Sequence, residues 1–323
     1  MNQTWLSDKR NTTDGPFQED CGRPTNGNIL TNMSTSVKAL ALAILLLSLL
    51  FTAVGNGLVL VIIAKIRRLR TAANLTIVNL ASYDFVVGTT FGFVIIPRCT
   101  MLQCAFFMGF VYTILQGSML GIGLCTLNRY VAIAHPLRYK VLMSPERTCW
   151  LITSCLLYSV AVGSAAAIQI SHYWQPSLGC LADFILPFHF MAFIIGHYVA
   201  LFIFMIYCYV AIARIASDHA RRIGGESDEE RREMSAFRET MTMTKIILTV
   251  VGTSWVLLGP HVLSLLLMHI LPWWQLRVLR AIRSNTLILN SLLNPIIYFY
   301  KYKDYRLGVR ELFGCPMPDI QQH

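Results

Sequence analysis

The sequence predicts an all-α membrane protein, a seven-transmembrane helix bundle, from its composition, the spacing of its apolar segments and the position of one carboxylate. Hydrophobic residues make up 55% of the 323 residues and charged residues only 14%, whereas soluble proteins carry about 25% charged residues. Seven apolar stretches are each close to the ~20 residues that a helix needs to cross a ~30 Å hydrocarbon core. Asp84 is the only carboxylate inside any of them, and an ionisable group at that depth indicates a functional site.

The seven predicted spans follow one another with polar connections between them. They are residues 39–64, 73–97, 105–134, 149–171, 184–213, 243–271 and 276–300. The seventh needs its preceding Arg-bearing turns to reach the required length, because its uninterrupted apolar part from Thr286 to Tyr300 is short. The chain therefore divides into an extracellular segment (1–36), a seven-transmembrane domain (37–300), and a short amphipathic helix with a cytoplasmic tail (301–323).

The Lys and Arg residues of the connections predict the orientation. They lie in the first loop at Lys65, Arg67, Arg68 and Arg70, in the third loop at Arg221, Arg222, Arg231, Arg232 and Arg238, and in the tail at Lys301, Lys303, Arg306 and Arg310. All of these positions fall on one side, which is then cytoplasmic. The protein is expected in the plasma membrane with its N-terminus outside. The net charge of +10 largely reflects orientation and also attracts anionic membrane lipids, and it gives little support for nucleic-acid binding.

The N-terminal segment carries three acceptor triplets for N-glycosylation, which begin at Asn2, Asn11 and Asn32. All three lie on the predicted exterior. Asn74-Leu-Thr also matches the triplet, but it begins the second span on the cytoplasmic side. The chain opens without a basic segment followed by an apolar one, so we expect the first span to act as the anchor rather than a cleaved signal peptide.

The cysteines divide by compartment. Cys104 opens the third span and Cys180 lies in the loop before the fifth; both are on the oxidising side, where a disulfide would tie that loop to the bundle. Cys21 and Cys99 are also outside, as candidates for a second disulfide. Cys315 follows the amphipathic segment after the seventh span, where palmitoylation is expected.

Enzyme motifs are missing from the sequence. There is no Gly-Lys-Ser/Thr phosphate loop, no His-Glu-x-x-His, and no Gly-x-Ser-x-Gly. Seven spans also show no pair of matched halves, which argues against a transporter. The third cytoplasmic loop, about residues 217–238, contains a charged run that is either a solvated helix extension or a mobile connector, and it is also a candidate surface for a cytoplasmic partner.

Short motifs occur in all seven spans. They are Gly55-Asn56 in the first; Asn79-Leu-Ala-Ser-Tyr-Asp84 in the second; Cys104 and Asn128-Arg-Tyr-Val-Ala-Ile-Ala-His-Pro-Leu-Arg-Tyr139 in and after the third; Trp150 in the fourth; Tyr209 in the fifth; Pro260 in the sixth; and Asn290-Ser-Leu-Leu-Asn-Pro-Ile-Ile-Tyr298 in the seventh. Each alone is weak, but all of them in this order leave little room for coincidence. On these residues the chain, over about 37–315, resembles the rhodopsin-like (class A) G-protein-coupled receptors. The resemblance implies a receptor that transmits the binding of a small molecule or lipid to a heterotrimeric G protein.

The resemblance also implies two groups of functional residues. Activation and G-protein coupling would depend on Asn128, Arg129, Tyr130, Tyr209, Asn294, Pro295 and Tyr298. Arg129 would extend toward the two distant tyrosines when the sixth helix swings outward and opens a cavity for a G-protein helix. A sodium ion would be held within a polar network formed by Asp84, Ser118, Asn290, Ser291 and Asn294. The alternative is a water-filled hydrogen-bond network without a cation, and no other cofactor or metal is expected.

Several positions depart from the pattern of that family. Asn128 precedes Arg129 where the family prefers Asp, and Thr240 lies where many members place an acidic residue in the sixth helix. Both changes weaken the restraint on Arg129, which predicts raised basal activity. Leu258 replaces the usual Trp of Cys-Trp-x-Pro, and Leu201 replaces the usual Pro of the fifth helix.

The ligand subgroup is less clearly indicated. The third span, the short tail and the outer loop look most like the adenosine, melanocortin and lipid-receptor branch, with an adenosine-like receptor as the leading interpretation. Leu265 and Ile288 replace the Asn and His of adenosine receptors, however, and Val111 replaces the amine-binding Asp of aminergic receptors. Residues 136–144 also resemble odorant and trace-amine receptors. A chemosensory or lipid receptor, or a constitutively active orphan protein without a diffusible agonist, therefore stays open as an alternative.

A ligand pocket is expected near the outer ends of the third, fifth, sixth and seventh helices. Its predicted lining residues are Val111, Leu115, Gln116, His189, His197, His261, Ser264 and Leu287. Arg277, Arg280 and Arg283 form a cationic stripe at the outer end of the seventh span. The stripe either anchors the helix at lipid headgroups, or Arg280 or Arg283 turns inward and selects an acidic ligand.

Overall fold

The computed structural model describes residues 34–95, 98, 100–175, 180, 185–221, 228–267, 271 and 273–314. Seven long helices and a ten-residue helix form the bundle in these ranges, and a four-residue helix, Tyr139–Leu142, lies between the third and fourth long helices. In chain order, the seven long helices and the ten-residue helix are α1 (Thr35–Lys65), α2 (Ala72–Thr90), α3 (Met101–Ala134), α4 (Pro145–Tyr173), α5 (Phe188–Arg221), α6 (Asp228–Leu267), α7 (Trp273–Lys301) and α8 (Lys303–Leu312). Each predicted span overlaps one of the seven long helices, so the predicted seven-helix fold is confirmed.

Side-chain caps define where several helices begin. Ser34, Thr71 and Ser144 each accept a hydrogen bond from a backbone N–H in the first turn of α1, α2 and α4 respectively. At the start of α3, Thr100 and Gln103 form a reciprocal capping box. These contacts satisfy backbone donors that have no partner within the helix.

Three helix boundaries differ most from the sequence prediction, and one of them is the end of α5, which lies at Arg221 rather than at residue 213. The second span was predicted to reach residue 97, but α2 ends at Thr90 and a 3₁₀ turn, Phe91–Ile95, continues from it. At the other end of the bundle, α6 begins at Asp228, inside the predicted third loop. The charged run is therefore a helical extension, as its Glu and Arg residues are good helix formers.

The central helix of the bundle is α3. Four described helices, α1, α3, α4 and α5, are long and apolar enough to cross a membrane; the most apolar window of α3 is 61% buried, whereas those of the other three are 11–22% buried. Glycine permits close helix contact at several places, among them the α3–α4 and α1–α7 contacts. A Cβ atom on Gly109 of α3 would lie 2.9 Å from the carbonyl oxygen of Gly163 in α4, and one on Gly55 of α1 would lie 2.9 Å from Cγ of Pro295 in α7. Larger side chains there would separate helices that position the polar residues of the core.

Candidate functional site

The carboxylate of Asp84 is fully buried and bonded directly to α7. Ser291 Oγ donates a hydrogen bond to Asp84 Oδ1 at 2.6 Å, and Asn294 Nδ2 donates to Asp84 Oδ2 at 2.7 Å. Asn56 Nδ2 of α1 donates to the backbone oxygen of Ser291 at 3.0 Å. Bonds to an ionised carboxylate are stronger than those between neutral groups. One buried acid thus joins α2 to α7, and α1 is tied to the same turn.

Ser118 and Asn290 complete the predicted polar network without bonding to the carboxylate. Both line a small cavity that also touches Ser291. Asn290 is buried, and its Oδ1 atom has no hydrogen-bond partner among the described residues. A buried amide oxygen normally has a partner, so this atom is suited to accept a hydrogen bond from water or to coordinate a cation.

The cavity lies between α2, α3, α6 and α7 and is mainly apolar. Its walls include Val111 and Leu115 of α3, Leu258 of α6, and Leu287 of α7. Leu258, which the sequence analysis placed at the position of the usual Trp, is buried here, so the cavity wall carries a leucine in place of an indole ring. An apolar cavity with a few polar atoms at one end has the character of a small-molecule site.

Gln116 faces away from this cavity. Its side-chain nitrogen contacts His197 Nε2 of α5, and Tyr158 OH of α4 lies 3.3 Å from the other ring nitrogen, Nδ1. Gln116 and His197 therefore meet at the α3–α4–α5 contact rather than on the cavity wall. His189, which the sequence suggested as a pocket residue, is exposed in the first turn of α5 and is not among the residues that line the cavity.

A second polar group joins α6 to α7. Arg283 Nη1 donates to Ser264 Oγ at 3.1 Å, and Ser264 Oγ donates to the backbone oxygen of His261 at 2.8 Å. His261 is buried against Tyr198 of α5, with ring centroids 6.0 Å apart. These residues are near the cavity along the helices but do not line it. The side chains of Arg277 and Arg280 lie outside the described residues.

At the opposite end of α3, Asn128 and Arg129 are both buried. Tyr139 OH donates to Asn128 Oδ1 at 3.4 Å, and Tyr209 OH lies 3.3 Å from Thr126 Oγ1. No carboxylate pairs with Arg129 among the residues that the structure describes. The structure thus places Tyr209 beside α3, one turn from Arg129; the side chain of Thr240 is outside the described residues.

The remaining predicted activation residues lie nearby. Tyr130 packs against Tyr207 of α5 with ring centroids 6.1 Å apart. Pro295 is buried in α7 against Gly55. Tyr298 is fully buried and stacks on Tyr305 of α8, with centroids 6.0 Å apart and an interplanar angle of 26°.

The sequence interpretation missed the contact that holds α8. Tyr305 OH donates to Asn74 Oδ1 of α2 at 3.2 Å, and Asn74 Nδ2 donates to the backbone oxygen of Leu69 at 2.8 Å. Burial raises the pKa of Tyr302 to about 12 and raises the pKa of Tyr305 well above its ordinary value, so both hydroxyls stay protonated at physiological pH. The sequence contained one signal for this contact, which is a tyrosine on the apolar face of an amphipathic segment. Asn74 was noted only because it begins a triplet that matches the N-glycosylation motif.

The predicted disulfide between Cys104 and Cys180 is present and ties the loop before α5 to the start of α3. It marks one end of the bundle, which is called the disulfide end below; the opposite end is called the α8 end. Other predicted modification sites lie outside the described residues, namely Asn2, Asn11, Asn32, Cys21, Cys99 and Cys315.

Comparison with known proteins identifies the family to which the chain belongs. Residues 55–298, more than half of the chain, match the family "7 transmembrane receptor (rhodopsin family)". The histamine H2 receptor of Homo sapiens is 26% identical over 90% of this chain and 84% of its own length. The adenosine receptor A2a of Canis lupus familiaris is 25% identical over 84% of this chain and 70% of its own length. The chain belongs to the rhodopsin family of seven-transmembrane receptors, which are multi-pass plasma-membrane receptors and not enzymes.

Proposed function

We propose that this receptor transmits the binding of an extracellular small ligand to a heterotrimeric G protein. The observation that carries the proposal is the position of Ser291, which lines the cavity and donates at 2.6 Å to the buried Asp84. A ligand in the cavity contacts the same turn of α7 that holds the carboxylate. Because Asn294 of the next turn bonds the other carboxylate oxygen, a shift of this turn is passed toward Tyr298 and Arg129 at the α8 end.

Raised basal activity is the second part of the proposal. Asn128 has no charge with which to hold Arg129. Among the described residues, the Asn128 side chain accepts a hydrogen bond from the Tyr139 hydroxyl at 3.4 Å. A hydrogen bond to a charged group contributes about 1.5–3 kcal/mol, compared with about 1 kcal/mol between neutral groups. The inactive arrangement is therefore restrained less than it would be with Asp at this position, and a larger fraction of receptors is active without ligand.

A sodium ion beside Asp84 is the third part. It is supported by the fully buried carboxylate and by the Oδ1 atom of Asn290, which lacks a partner among the described residues and faces the same cavity as Ser118. Oxygen atoms of these types are the ligands that hard cations prefer. In this proposal the ion neutralises the carboxylate and stabilises the inactive bundle.

The leading ligand class remains the adenosine-like one, with a chemosensory or lipid ligand as the alternative. The adenosine A2a receptors among the relatives support the first assignment. Histamine is named for other relatives, but Val111, at the position of the amine-binding acid, lines the cavity with an apolar side chain. An amine held by a carboxylate of α3 is therefore disfavoured for this chain.

Nucleotide exchange on purified G proteins tests the proposed coupling. The full chain is reconstituted in lipid vesicles with a panel of G-protein subtypes and no added ligand. We expect exchange above that of empty vesicles with at least one subtype, and we expect Arg129→Ala to reduce it to background. Exchange at the level of empty vesicles with every subtype would contradict basal coupling.

Sodium dependence tests the ion. Thermal stability of the purified receptor should rise in sodium chloride relative to N-methylglucamine chloride at equal ionic strength, and Asp84→Asn should remove the difference. The same response in wild type and variant would reject the ion and leave a hydrated polar network as the explanation.

The modification sites complete the proposal. Glycosylation at Asn2, Asn11 and Asn32 requires the N-terminus to be outside, and palmitoylation of Cys315 would add a second anchor beside α8. Treatment of intact cells with a glycosidase should lower the apparent mass of the wild type, and a variant with all three asparagines replaced should show no change. A wild type that is not shifted would contradict the proposed glycosylation.

A further inference from the structure

At the α8 end of the bundle, a lysine side chain joins the last turn of α7 to α6. Lys301, the last residue of α7, donates a hydrogen bond through Nζ to Thr249 Oγ1 of α6 at 2.8 Å. Thr249 Oγ1 itself donates to the backbone oxygen of Lys245 at 2.9 Å. Because the hydroxyl proton is directed along α6, the lone pairs of the same oxygen are available to accept from the ammonium.

The end of α7 that carries Lys301 is anchored to the rest of the bundle. Tyr302, the next residue, is 2% exposed and packs on Tyr298 and Tyr305, with ring centroids 6.2 and 5.3 Å apart respectively. Tyr305 also bonds Asn74 of α2. A buried aromatic cluster that is hydrogen-bonded to α2 holds this end of α7 in place, so Lys301 does not have to follow a movement of α6.

A bend within α6 would move Thr249 away from this anchored end. Pro260 lies inside α6, where it removes a backbone hydrogen bond and permits the helix to bend. Thr249 precedes Pro260 by 11 residues (260 minus 249), which is about 16 Å along the helix axis. A rotation of about 4° at Pro260 moves Thr249 by about 1 Å, and this shift takes the contact with Lys301 beyond hydrogen-bonding distance. An outward swing of α6 therefore breaks the bond at its start.

The lysine bond supplies a polar restraint where charged pairs are missing. No carboxylate pairs with Arg129 among the described residues, and Asn128 carries no charge. Residues 240–303, which include most of α6 and all of α7, contain no Asp or Glu, so these parts of the two helices cannot form an ion pair with each other. A hydrogen bond from an ammonium to a neutral oxygen is still stronger than one between two neutral groups.

We propose that Lys301 is a positioning residue that holds α6 in the inactive arrangement through Thr249. The inference rests on the proposed coupling to a G protein and names a restraint that regulates it. In the inactive receptor the ammonium joins α6 to the anchored end of α7, and when α6 swings outward the ammonium returns to water. Because Lys301 is exposed, water compensates for part of the lost bond, so the contact tunes the fraction of active receptor without preventing activation.

A distance between two spin labels measures the position of α6 without a G protein. The labels are placed at Lys245→Cys in α6 and Arg138→Cys in the connection between α3 and α4, both exposed positions, after the other accessible cysteines have been replaced. Double electron–electron resonance on the full chain in lipid nanodiscs gives the fractions with α6 inward and outward. We expect Thr249→Val and Lys301→Met each to raise the outward-to-inward ratio about 3- to 10-fold.

Matched variants separate the bond from a general loss of packing. Thr249→Ser keeps the hydroxyl and should retain the wild-type ratio. Thr253→Val removes a hydroxyl one turn away, which donates to the backbone oxygen of Thr249, and Lys303→Met removes an exposed lysine of α8; both should behave as wild type does. The double variant of Thr249→Val and Lys301→Met should match the single variants, since either change removes the same bond.

Three results would overturn the proposal: an unchanged ratio in Thr249→Val or in Lys301→Met, an equal increase in the Thr253→Val or Lys303→Met control, or additive effects in the double variant. Nucleotide exchange without ligand, measured on the same variants, should rise in parallel with the outward fraction. Shifted distances without nucleotide exchange would retain the restraint and reject the coupling, and exchange with unchanged distances would do the reverse.

Discussion

The two ends of the bundle use polar side chains differently. Toward the α8 end, polar groups bond directly across helices: Asp84 bonds Ser291 and Asn294 of α7, and Tyr305 of α8 bonds Asn74 of α2. These contacts tie α7 and α8 to α2. Toward the disulfide end, the polar contacts join the helices in two separate pairs. An apolar cavity lies between these pairs.

This difference indicates that one end of the bundle restrains the helices and that the other end recognises the ligand. Gln116 and His197 join α3 to α5, and Arg283 and Ser264 join α7 to α6, so neither pair closes the cavity. A direct network at one end sets the positions of α2 and α7, whereas the opposite end keeps a space in which a ligand can add the missing contacts.

Asp84→Ala should have the largest effect on stability. The change leaves Ser291 Oγ and Asn294 Nδ2 without their acceptor, and each unsatisfied buried donor costs about 1–3 kcal/mol. We expect a loss of about 2–6 kcal/mol in the free energy of unfolding, read as a lower unfolding temperature in nanodiscs. Ser264→Ala, the counterpart at the disulfide end, removes one acceptor and should cost less than half as much. Equal losses would contradict the contrast between the two ends.

Asn128→Asp should lower ligand-free signalling. A carboxylate beside the buried Arg129 adds a charge-assisted bond to the inactive state, and about 1.5–3 kcal/mol corresponds to a roughly 10- to 100-fold lower active fraction. The rate of nucleotide exchange in the absence of ligand measures this active fraction. Asn128→Ala, which adds no charge, is the control and should remain near the wild-type rate; if both variants behave alike, the charge of residue 128 does not set basal activity.

Tyr305→Phe removes only the hydroxyl that bonds Asn74. The ring still stacks on Tyr298, so we expect a loss of about 1 kcal/mol and a small fall in the unfolding temperature. Tyr300→Phe is a matched control, because Tyr300 is 79% exposed and its hydrogen bond with Arg306 of α8 is made by its backbone oxygen, which the change leaves in place. An unchanged Tyr305→Phe variant would mean that stacking alone holds α8 to the bundle.

The ion pair between Arg68 and Glu311 should have the smallest effect. Its nitrogen and oxygen are 3.4 Å apart, and the side chains are 46% and 50% exposed, so screening by water reduces its contribution to about 0–1 kcal/mol. Arg68→Ala and Glu311→Ala, measured singly and together, should give a coupling energy near zero at physiological salt. A coupling above about 1 kcal/mol would show that the surface of the α8 end contributes as much as a buried hydroxyl.

The sequence alone predicted the class of protein, the number and order of its helices, and the importance of Asp84. These follow from local properties: an apolar stretch must be long enough to cross the bilayer, and a carboxylate at that depth must have partners. The resemblance to class A receptors, rather than these local properties, implied that Asp84 and the polar residues of the seventh span belong together. The helix boundaries were less accurate, because charged residues extend α6 beyond the apolar stretch and a 3₁₀ turn continues from α2.

The packing of the helices against one another determines which polar groups meet. Arg283 and Ser264 are 19 residues apart in the chain, Gln116 and His197 are 81 apart, and Asn74 and Tyr305 are 231 apart. Each contact depends on how a helix is rotated about its axis and how closely it approaches its neighbour. Those two quantities are set by packing over the whole bundle, whereas hydropathy along one helix records only its length and which of its residues are apolar.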